Sequence, residues 1–318
     1  MDYLLLVLGL VILVVGANLL TKGCVGMAAR FHVPEFIVGL TVMAVGTSMP
    51  ELTVSAMSAL KGSTEMAIGN VVGSNLFNTL IILGVCALVR PMVFTRENIR
   101  RDLPICVVAS AMLLLFALYV GAVDGIGRLE GAIMLACYIG VTCFSIVSAK
   151  KDAPDADAGT GEESSQGADM AWGRIIIYII VGLAGLIFGG NMCLESATAI
   201  ARAWGVSEAV IAITIVAAGT SLPELASSLA AVTSGKLSLA LGNVIGSNIA
   251  NILLILGACG VIKPLTMGNI TPLDIWMVFG TAILLFVSAI VVGQRRITRG
   301  EGVFYLAVYV GYVLLLMQ

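Results

Sequence analysis

The stretch AVGTSMPEL at residues 44–52 recurs almost unchanged as AAGTSLPEL at residues 217–225. A second stretch, AIGNVVGSNLFN at 67–78, recurs as ALGNVIGSNIAN at 240–251. Both pairs are 173 residues apart, and so are isolated matches such as Asn18 with Asn191 and Pro91 with Pro264. A constant offset without a gap indicates a duplicated unit, so the chain is predicted to consist of two related halves.

The composition places both halves in a membrane. Of the 318 residues, 59% are hydrophobic and only 11% are charged, whereas about a quarter of the residues in a soluble domain are charged. The apolar stretches are continuous rather than alternating, which excludes a β-barrel, and about 20 helical residues suffice to cross a bilayer. They predict an all-α membrane protein with ten transmembrane helices, at roughly 3–21, 34–60, 66–89, 102–122, 127–148, 173–193, 207–233, 237–262, 272–293 and 302–317.

The repeat and the spans together predict three segments. We expect a first five-helix repeat at 1–149, a polar, acidic cytosolic linker at 150–171, and a second five-helix repeat at 172–318. Because five is an odd number, the second repeat must enter the membrane inverted relative to the first, an architecture typical of alternating-access carriers.

The positive charges give the orientation, since cytosolic loops of membrane proteins are enriched in Lys and Arg. With the N-terminus outside, all but four of the 17 lysine and arginine residues fall on the cytosolic side. The four exceptions are Lys61, Arg128, Arg202 and Lys263. The sequence therefore predicts a multi-pass protein of the plasma (inner) membrane with both termini outside the cytosol.

Two glutamates stand out within the predicted membrane interior. Glu51 and Glu224 are nearly the only ionisable residues there, and they occupy equivalent positions in the two halves. Inserting a charged side chain at the centre of a spanning helix costs at least about 2.5 kcal/mol, so two glutamates at equivalent positions of the repeats indicate a functional role. Pro50 and Pro223 directly precede them, and proline removes a helical hydrogen bond. Helices 2 and 7 are therefore predicted to be discontinuous, with freed carbonyls able to bind cations.

Further oxygen-bearing side chains follow helical spacing around the two glutamates. The hydroxyls near them are those of Thr47, Ser48, Ser55, Thr220, Ser221 and Ser228. The next span of each repeat has a polar face formed by Asn70, Ser74, Asn78, Asn243, Ser247 and Asn251, for which hydrogen bonding between helices is the alternative role. Carboxylate, hydroxyl, amide and carbonyl oxygens suit hard cations such as Na⁺, Ca²⁺, Mg²⁺ or Mn²⁺, and this reasoning does not choose among them.

Other chemistry is poorly represented. The seven cysteines lie in or beside apolar spans without a CxxC pair, and there is a single histidine, His32. Zinc and haem sites normally need clustered thiols or several histidines. We therefore expect no cofactor and no enzyme activity. The expected partners are the transported ions and the lipid bilayer, not nucleic acid, and no protein partner can be inferred.

The paired motifs GTSMPE/GTSLPE and GNVVGSN/GNVIGSN resemble the alpha repeats of the sodium/calcium exchanger family, within the calcium/cation antiporter superfamily, and the prokaryotic type in particular. The resemblance implies a core of spans 2, 3, 7 and 8, with spans 1 and 6 sliding across it. It also implies that Glu51 and Glu224 coordinate Ca²⁺, completed by the backbone carbonyls of Thr47 and Thr220. The implied sodium-site residues are Ala44, Ser48, Ser74, Ala217, Ser221 and Ser247, with Asn78 and Asn251 near the middle.

The predicted function is secondary active antiport of Na⁺ against Ca²⁺ by alternating access. The resemblance suggests three Na⁺ per Ca²⁺, which would make the exchange electrogenic. Asn251 stands where several relatives carry Asp, and a neutral residue there favours exchange that is independent of K⁺. The alternatives are a Ca²⁺/H⁺ antiporter of the same superfamily, in which the glutamates titrate, and, more distantly, a cation channel. An intramembrane enzyme is disfavoured because no histidine pair or serine–lysine constellation is visible.

Overall fold

The computed structural model describes residues 2–120, 124–152, 170–205, 217–292 and 295–316. Within these ranges the protein consists of helices joined by turns, irregular segments and short strands. The helices are α1 (Asp2–Phe31), α2 (Glu35–Thr47), α3 (Met49–Lys61), α4 (Thr64–Val89), α5 (Asn98–Val120), α6 (Arg128–Asp152), α7 (Trp172–Ala203), α8 (Ala217–Gly219), α9 (Leu222–Thr233), α10 (Leu237–Ile262), α11 (Pro272–Val287, continued by Ser288–Val292) and α12 (Arg299–Leu316). The strands are β1 (Met92–Val93), β2 (Gly125–Ile126), β3 (Leu265–Thr266) and β4 (Arg296–Ile297).

The helices confirm a multi-span membrane protein. Within the described ranges, 8 helices are long and apolar enough to cross a membrane, and up to 9 spans result if α2 and α3 are one broken span. The predicted window 207–233 begins in residues 206–216, which lie outside the described residues, so ten spans stays a prediction. Most of the predicted linker, at 153–169, also lies outside them.

Local backbone geometry repeats at the same offset as the sequence. The helical chain breaks at Ser48, with φ −83° and ψ 11°, and at Ser221, with φ −92° and ψ 8°. The turns that follow α3 and α9 each contain a glycine with positive φ, namely Gly62 at 92° and Gly235 at 81°. Helices α4 and α10 both widen into π-helical turns, at Phe77–Ile82 and Ala250–Leu256. Equivalent sequences therefore produce equivalent breaks, turns and bulges.

The chain divides into two compact units, each containing segments of both repeats. The first unit comprises Met1–Ser48 and Phe144–Asn243, and the second unit comprises Met49–Cys143 and Val244–Gln318. One dividing point is the break between α2 and α3, and another lies within α10. Each unit thus contains one of the two glutamates that the repeat singled out, Glu224 in the first unit and Glu51 in the second.

In the first unit, α1 and α7 pack backbone to backbone. A Cβ atom on Gly16 would lie 2.8 Å from the Leu186 amide nitrogen, and one on Gly189 would lie 2.7 Å from the Leu13 amide nitrogen. Only glycine permits such an approach, which is a common way for membrane helices to associate. Gly16 and Gly189 are equivalent positions of the repeat, so the same device is used from both helices.

In the second unit, most of α4 is buried, and the side chains of Leu76, Leu80 and Leu83 are fully inaccessible to solvent. Two small antiparallel sheets join the helix ends. In these sheets Met92 pairs with Ile297, and Ile126 pairs with Leu265. Apolar side chains of α4 therefore contribute to the interior of this unit.

Candidate cation-binding site

Each glutamate lies in the first turn of a helix that starts at a break. Glu51 is in the first turn of α3 and Glu224 in the first turn of α9, and their exposed fractions are 0% and 1%. A proline near the start of a helix loses no hydrogen bond, because the first N–H groups have no helical partner. The same unpaired N–H groups and the helix dipole stabilise negative charge at this end. The local sequence therefore places a buried carboxylate at the start of each of these two helices.

In the first unit, Glu224 is held by a hydroxyl from the other repeat. The Ser48 hydroxyl donates to Glu224 Oε1 at 2.8 Å. Glu224 Oε2 and Thr220 Oγ1 are buried and have no hydrogen-bond partner among the described residues. Thr47, which is fully buried, has its hydroxyl 3.3 Å from the Ala44 carbonyl and 3.4 Å from Asn243 Oδ1. The helical spacing groups Thr47 and Ser48 with Glu51, whereas this unit brings the Ser48 hydroxyl to Glu224 and the Thr47 hydroxyl near Asn243.

In the second unit, Glu51 receives a longer hydrogen bond, from the Ser74 hydroxyl to Oε1 at 3.4 Å. Ser247 is fully buried, and its hydroxyl has no partner in the described part of the chain. Asn78 and Asn251 are equally inaccessible, and neither the oxygen nor the nitrogen of their side-chain amides is hydrogen-bonded there. Both asparagines lie in the π-helical turns of α4 and α10.

The remaining predicted residues lie along the broken helices. Ala44 is buried in α2, and its carbonyl already accepts the Ser48 amide at 3.0 Å. Ser221 is buried at the second break, immediately before α9. Ala217 begins α8, and its side chain lies outside the described residues.

The donor set fits a hard cation. Burying a polar group without a hydrogen bond costs about 1–3 kcal/mol, so native proteins keep few such groups. Five predicted ligand residues contain such atoms, namely Asn78, Thr220, Glu224, Ser247 and Asn251, and outside the predicted set so do Asn75, Ser145, Asn248, Glu301 and Tyr305. Among the described residues, no three carboxylate, imidazole or thiol side chains lie close enough together to hold one metal ion. A cation at either glutamate would therefore be held by neutral oxygens as well as by carboxylate, as Ca²⁺ and Na⁺ accept.

The structure also shows polar contacts that the sequence pattern did not single out. Asn248 donates to the Thr79 hydroxyl at 2.8 Å, while Asn75 donates to the Val71 carbonyl at 2.7 Å. Both asparagines belong to the repeated GSN motif, and that recurrence was the available signal. Ser227 donates to the Glu224 carbonyl at 3.1 Å. No repeat signal marks Ser227, because valine occupies the equivalent position in the first half.

Known proteins match nearly the whole chain. The family described as "Sodium/calcium exchanger protein" matches residues 1–147 and 174–318. The sodium/calcium exchanger MaX1 of Methanosarcina acetivorans is 31% identical, over 99% of this chain and 98% of its own. The inner membrane protein YrbG of Escherichia coli K12 is 33% identical, over 94% of this chain and 91% of its own. A solved structure of the sodium-calcium exchanger NCX_Mj superimposes with a TM-score of 0.82 at 27% identity, covering 99% of this chain and 98% of that one.

Proposed function

The chain belongs to the sodium/calcium exchanger family, a family of multi-pass membrane antiporters, and we propose that it exchanges Na⁺ for Ca²⁺ by alternating access to its two buried glutamates. The observation that carries the proposal is a fully buried carboxylate at each of two equivalent helix breaks, 173 residues apart. A buried carboxylate in a membrane helix marks an ion pathway or binding site far more often than a structural role.

The proposed Ca²⁺ ligands are the carboxylates of Glu51 and Glu224 and the backbone carbonyls of Thr47 and Thr220. The remaining hydroxyl, amide and backbone oxygens would serve Na⁺. These belong to Ala44, Ser48, Ser74, Asn78, Ala217, Ser221, Ser247 and Asn251. The unpaired buried atoms of Ser247, Asn78 and Asn251 support this assignment, because a bound cation would supply the partner that each oxygen lacks.

Charge neutralisation couples the two fluxes in this proposal. With no ion bound, the glutamates carry two negative charges, and moving them past an apolar barrier would be strongly unfavourable. One Ca²⁺ neutralises both charges, and several Na⁺ do so as well. Only loaded forms can then be covered from one side of the membrane and uncovered from the other. Exchange is therefore obligatory, and leakage of either ion alone is suppressed.

The same proposal includes the arrangement in the membrane. Ten helices as two inverted five-helix repeats, 1–149 and 172–318, with a cytosolic linker at 150–171, would place both termini outside the cytosol. The positive-charge distribution supports this orientation. The repeated breaks at Ser48 and Ser221 support the prediction that the second and seventh spans, 34–60 and 207–233, are discontinuous. The proposed location is the plasma (inner) membrane.

The decisive experiment is ⁴⁵Ca²⁺ uptake by proteoliposomes loaded with Na⁺ and diluted into Na⁺-free medium. We expect uptake that requires the outward Na⁺ gradient and ceases when choline replaces Na⁺ inside. Uptake driven by an imposed pH gradient without Na⁺ would instead identify a Ca²⁺/H⁺ antiporter. Ca²⁺ currents in planar bilayers far above carrier turnover would identify a channel.

A further inference from the structure

Asn70 on α4 contacts the helix that carries Glu51 at two points. Its side-chain amide donates to the backbone carbonyl of Glu51 at 3.2 Å and to the Ser55 hydroxyl at 3.0 Å. The carbonyl belongs to the turn that bears the carboxylate, and Ser55 lies one turn further along α3. A single amide group therefore fixes the position and the rotation of this turn in the second unit.

Asn243 is the equivalent residue on α10, and its contacts differ. Its amide donates to the Ser227 hydroxyl at 3.0 Å and to the Ser228 hydroxyl at 2.9 Å. The Ser227 hydroxyl in turn donates to the backbone carbonyl of Glu224 at 3.1 Å. The connection from Asn243 to the glutamate turn thus passes through one hydroxyl group. Position 54, equivalent to 227, is Val54, and Asn70 reaches the Glu51 carbonyl without an intermediary.

Asn243 also uses its remaining polar atom. Its Oδ1 lies 3.4 Å from the Thr47 hydroxyl, at the end of α2. Asn243, Ser227 and Ser228 are all fully inaccessible, so these bonds form away from water. A fully satisfied buried amide of this kind holds its neighbours in one arrangement. Within the first unit it links Thr47 to the helix that bears Glu224.

We infer that Asn70 and Asn243 are positioning residues for the two glutamates, Asn70 acting directly on the Glu51 backbone and Asn243 acting on the Glu224 backbone through Ser227. The inference rests on the proposed function, in which both carboxylates bind the transported cation. A ligand binds tightly only if its own backbone is held by neighbouring groups, and such supporting contacts affect affinity without touching the ion. Neither asparagine needs to touch the ion for this role.

The test compares Ser227→Val with Ser227→Thr, which have the same shape and differ only in the hydroxyl. A threonine in a helix can bond the carbonyl three or four residues before it, as Ser227 does. We expect the apparent Ca²⁺ affinity to fall about tenfold in Ser227→Val, equal to about 1.4 kcal/mol, and to recover in Ser227→Thr. The matched change Val54→Thr should leave the affinity unaltered, because Asn70 already occupies the Glu51 carbonyl.

The readout is Ca²⁺ affinity of the purified full-length protein, taken from the rise in unfolding temperature with Ca²⁺ concentration, alongside the folded yield from size-exclusion chromatography. A purely structural Ser227 would lower the yield and leave the affinity unchanged. Should the added methyl groups prevent folding, Ser227→Ala is compared with the unmodified protein instead. Equal affinities in Ser227→Val and Ser227→Thr, or in Ser227→Ala and the unmodified protein, overturn the inference.

The two proposals fail in different ways. If the unmodified protein binds Ca²⁺ but shows no Na⁺-driven uptake, the proposed exchange is wrong, and the affinity comparison still decides the role of Ser227. If exchange occurs and the variants bind Ca²⁺ alike, only the positioning role is wrong. If the unmodified protein binds no Ca²⁺, both proposals are wrong.

Discussion

Replacement of Glu224 by glutamine removes one charge with almost no change in shape. The glutamine Oε1 can still accept the hydrogen bond that the Ser48 hydroxyl donates to Glu224 Oε1 at 2.8 Å. The amide nitrogen takes the place of Oε2, which is buried and has no partner among the described residues. The variant therefore keeps the packing of α9 and loses the negative charge that offsets the dehydration of Ca²⁺.

The size of the effect follows from burial. Removing one partner from a buried ionic pair costs about 3–5 kcal/mol, because the other charge stays out of water without compensation. Glu224 is 1% exposed, so screening by solvent does not reduce this figure appreciably. Ca²⁺ affinity should thus fall by about 150- to 4,500-fold. At Ca²⁺ concentrations that saturate the unmodified protein, transport should be nearly abolished.

The assay is Na⁺-driven ⁴⁵Ca²⁺ uptake in proteoliposomes, with Ca²⁺ affinity measured separately by thermal stabilisation. Glu195→Gln is the matched control, since Glu195 is an exposed glutamate of the same unit outside the proposed ligands. Its uptake should equal that of the unmodified protein. Glu51→Gln should behave like Glu224→Gln. Exchange at the unmodified rate in both glutamine variants, with normal affinity, would refute the proposed ligands.

Three further predictions concern orientation, charge movement and potassium. Lys61 and Ser234 are exposed and occupy equivalent positions of the two repeats. In a protein whose exposed Cys143 is replaced by serine, an impermeant thiol reagent should label Lys61→Cys only from outside and Ser234→Cys only from the cytosolic side. Labelling of both from one face would disprove the inverted repeat. If three Na⁺ exchange for one Ca²⁺, one charge moves per cycle, so an imposed K⁺-diffusion potential should shift the driving force by about 2.3 kcal/mol per 100 mV; indifference to potential would indicate two-for-one exchange. Uptake should be equal in choline and in potassium media, and Asn251→Asp should raise cation affinity and make transport sensitive to pH; an absolute K⁺ requirement in the unmodified protein would contradict the role given to Asn251.

The breaks in the helices could be predicted from sequence because a local cause determines them. Pro50 and Pro223 cannot donate a backbone hydrogen bond, and the preceding glycine, threonine and serine do not favour continuation of the helix. The structure has its breaks at Ser48 and Ser221, two residues before each proline. The duplication made the prediction stronger, since the same local cause appears twice at one offset.

The contacts of individual site residues were predictable only in part. Helical spacing grouped Thr47 and Ser48 with Glu51, but in the first unit the Ser48 hydroxyl bonds to Glu224. Spacing along one helix cannot show which residue of a neighbouring helix lies opposite. The bonds of Asn248 to Thr79 and of Asn243 to Ser227 depend on that packing. The division of the chain into two compact units also depends on packing between helices, and the sequence pattern did not predict it.

The buried side-chain amides of Asn78 and Asn251, which have no hydrogen-bond partner among the described residues, would help to select the bound cation without adding charge to the site. A chain shaped by stability alone would pair such buried atoms or replace them by apolar groups. Replacing both by carboxylates would instead bind cations more tightly and would raise the repulsion within the empty protein. Two glutamates with neutral amides lie between these extremes, because the charge of the glutamates would match one Ca²⁺ while the amide oxygens would replace part of the water shell of Na⁺. On this reasoning the amides set how much water Na⁺ must lose on binding, and the glutamates set how much positive charge must be bound before the protein can change its access.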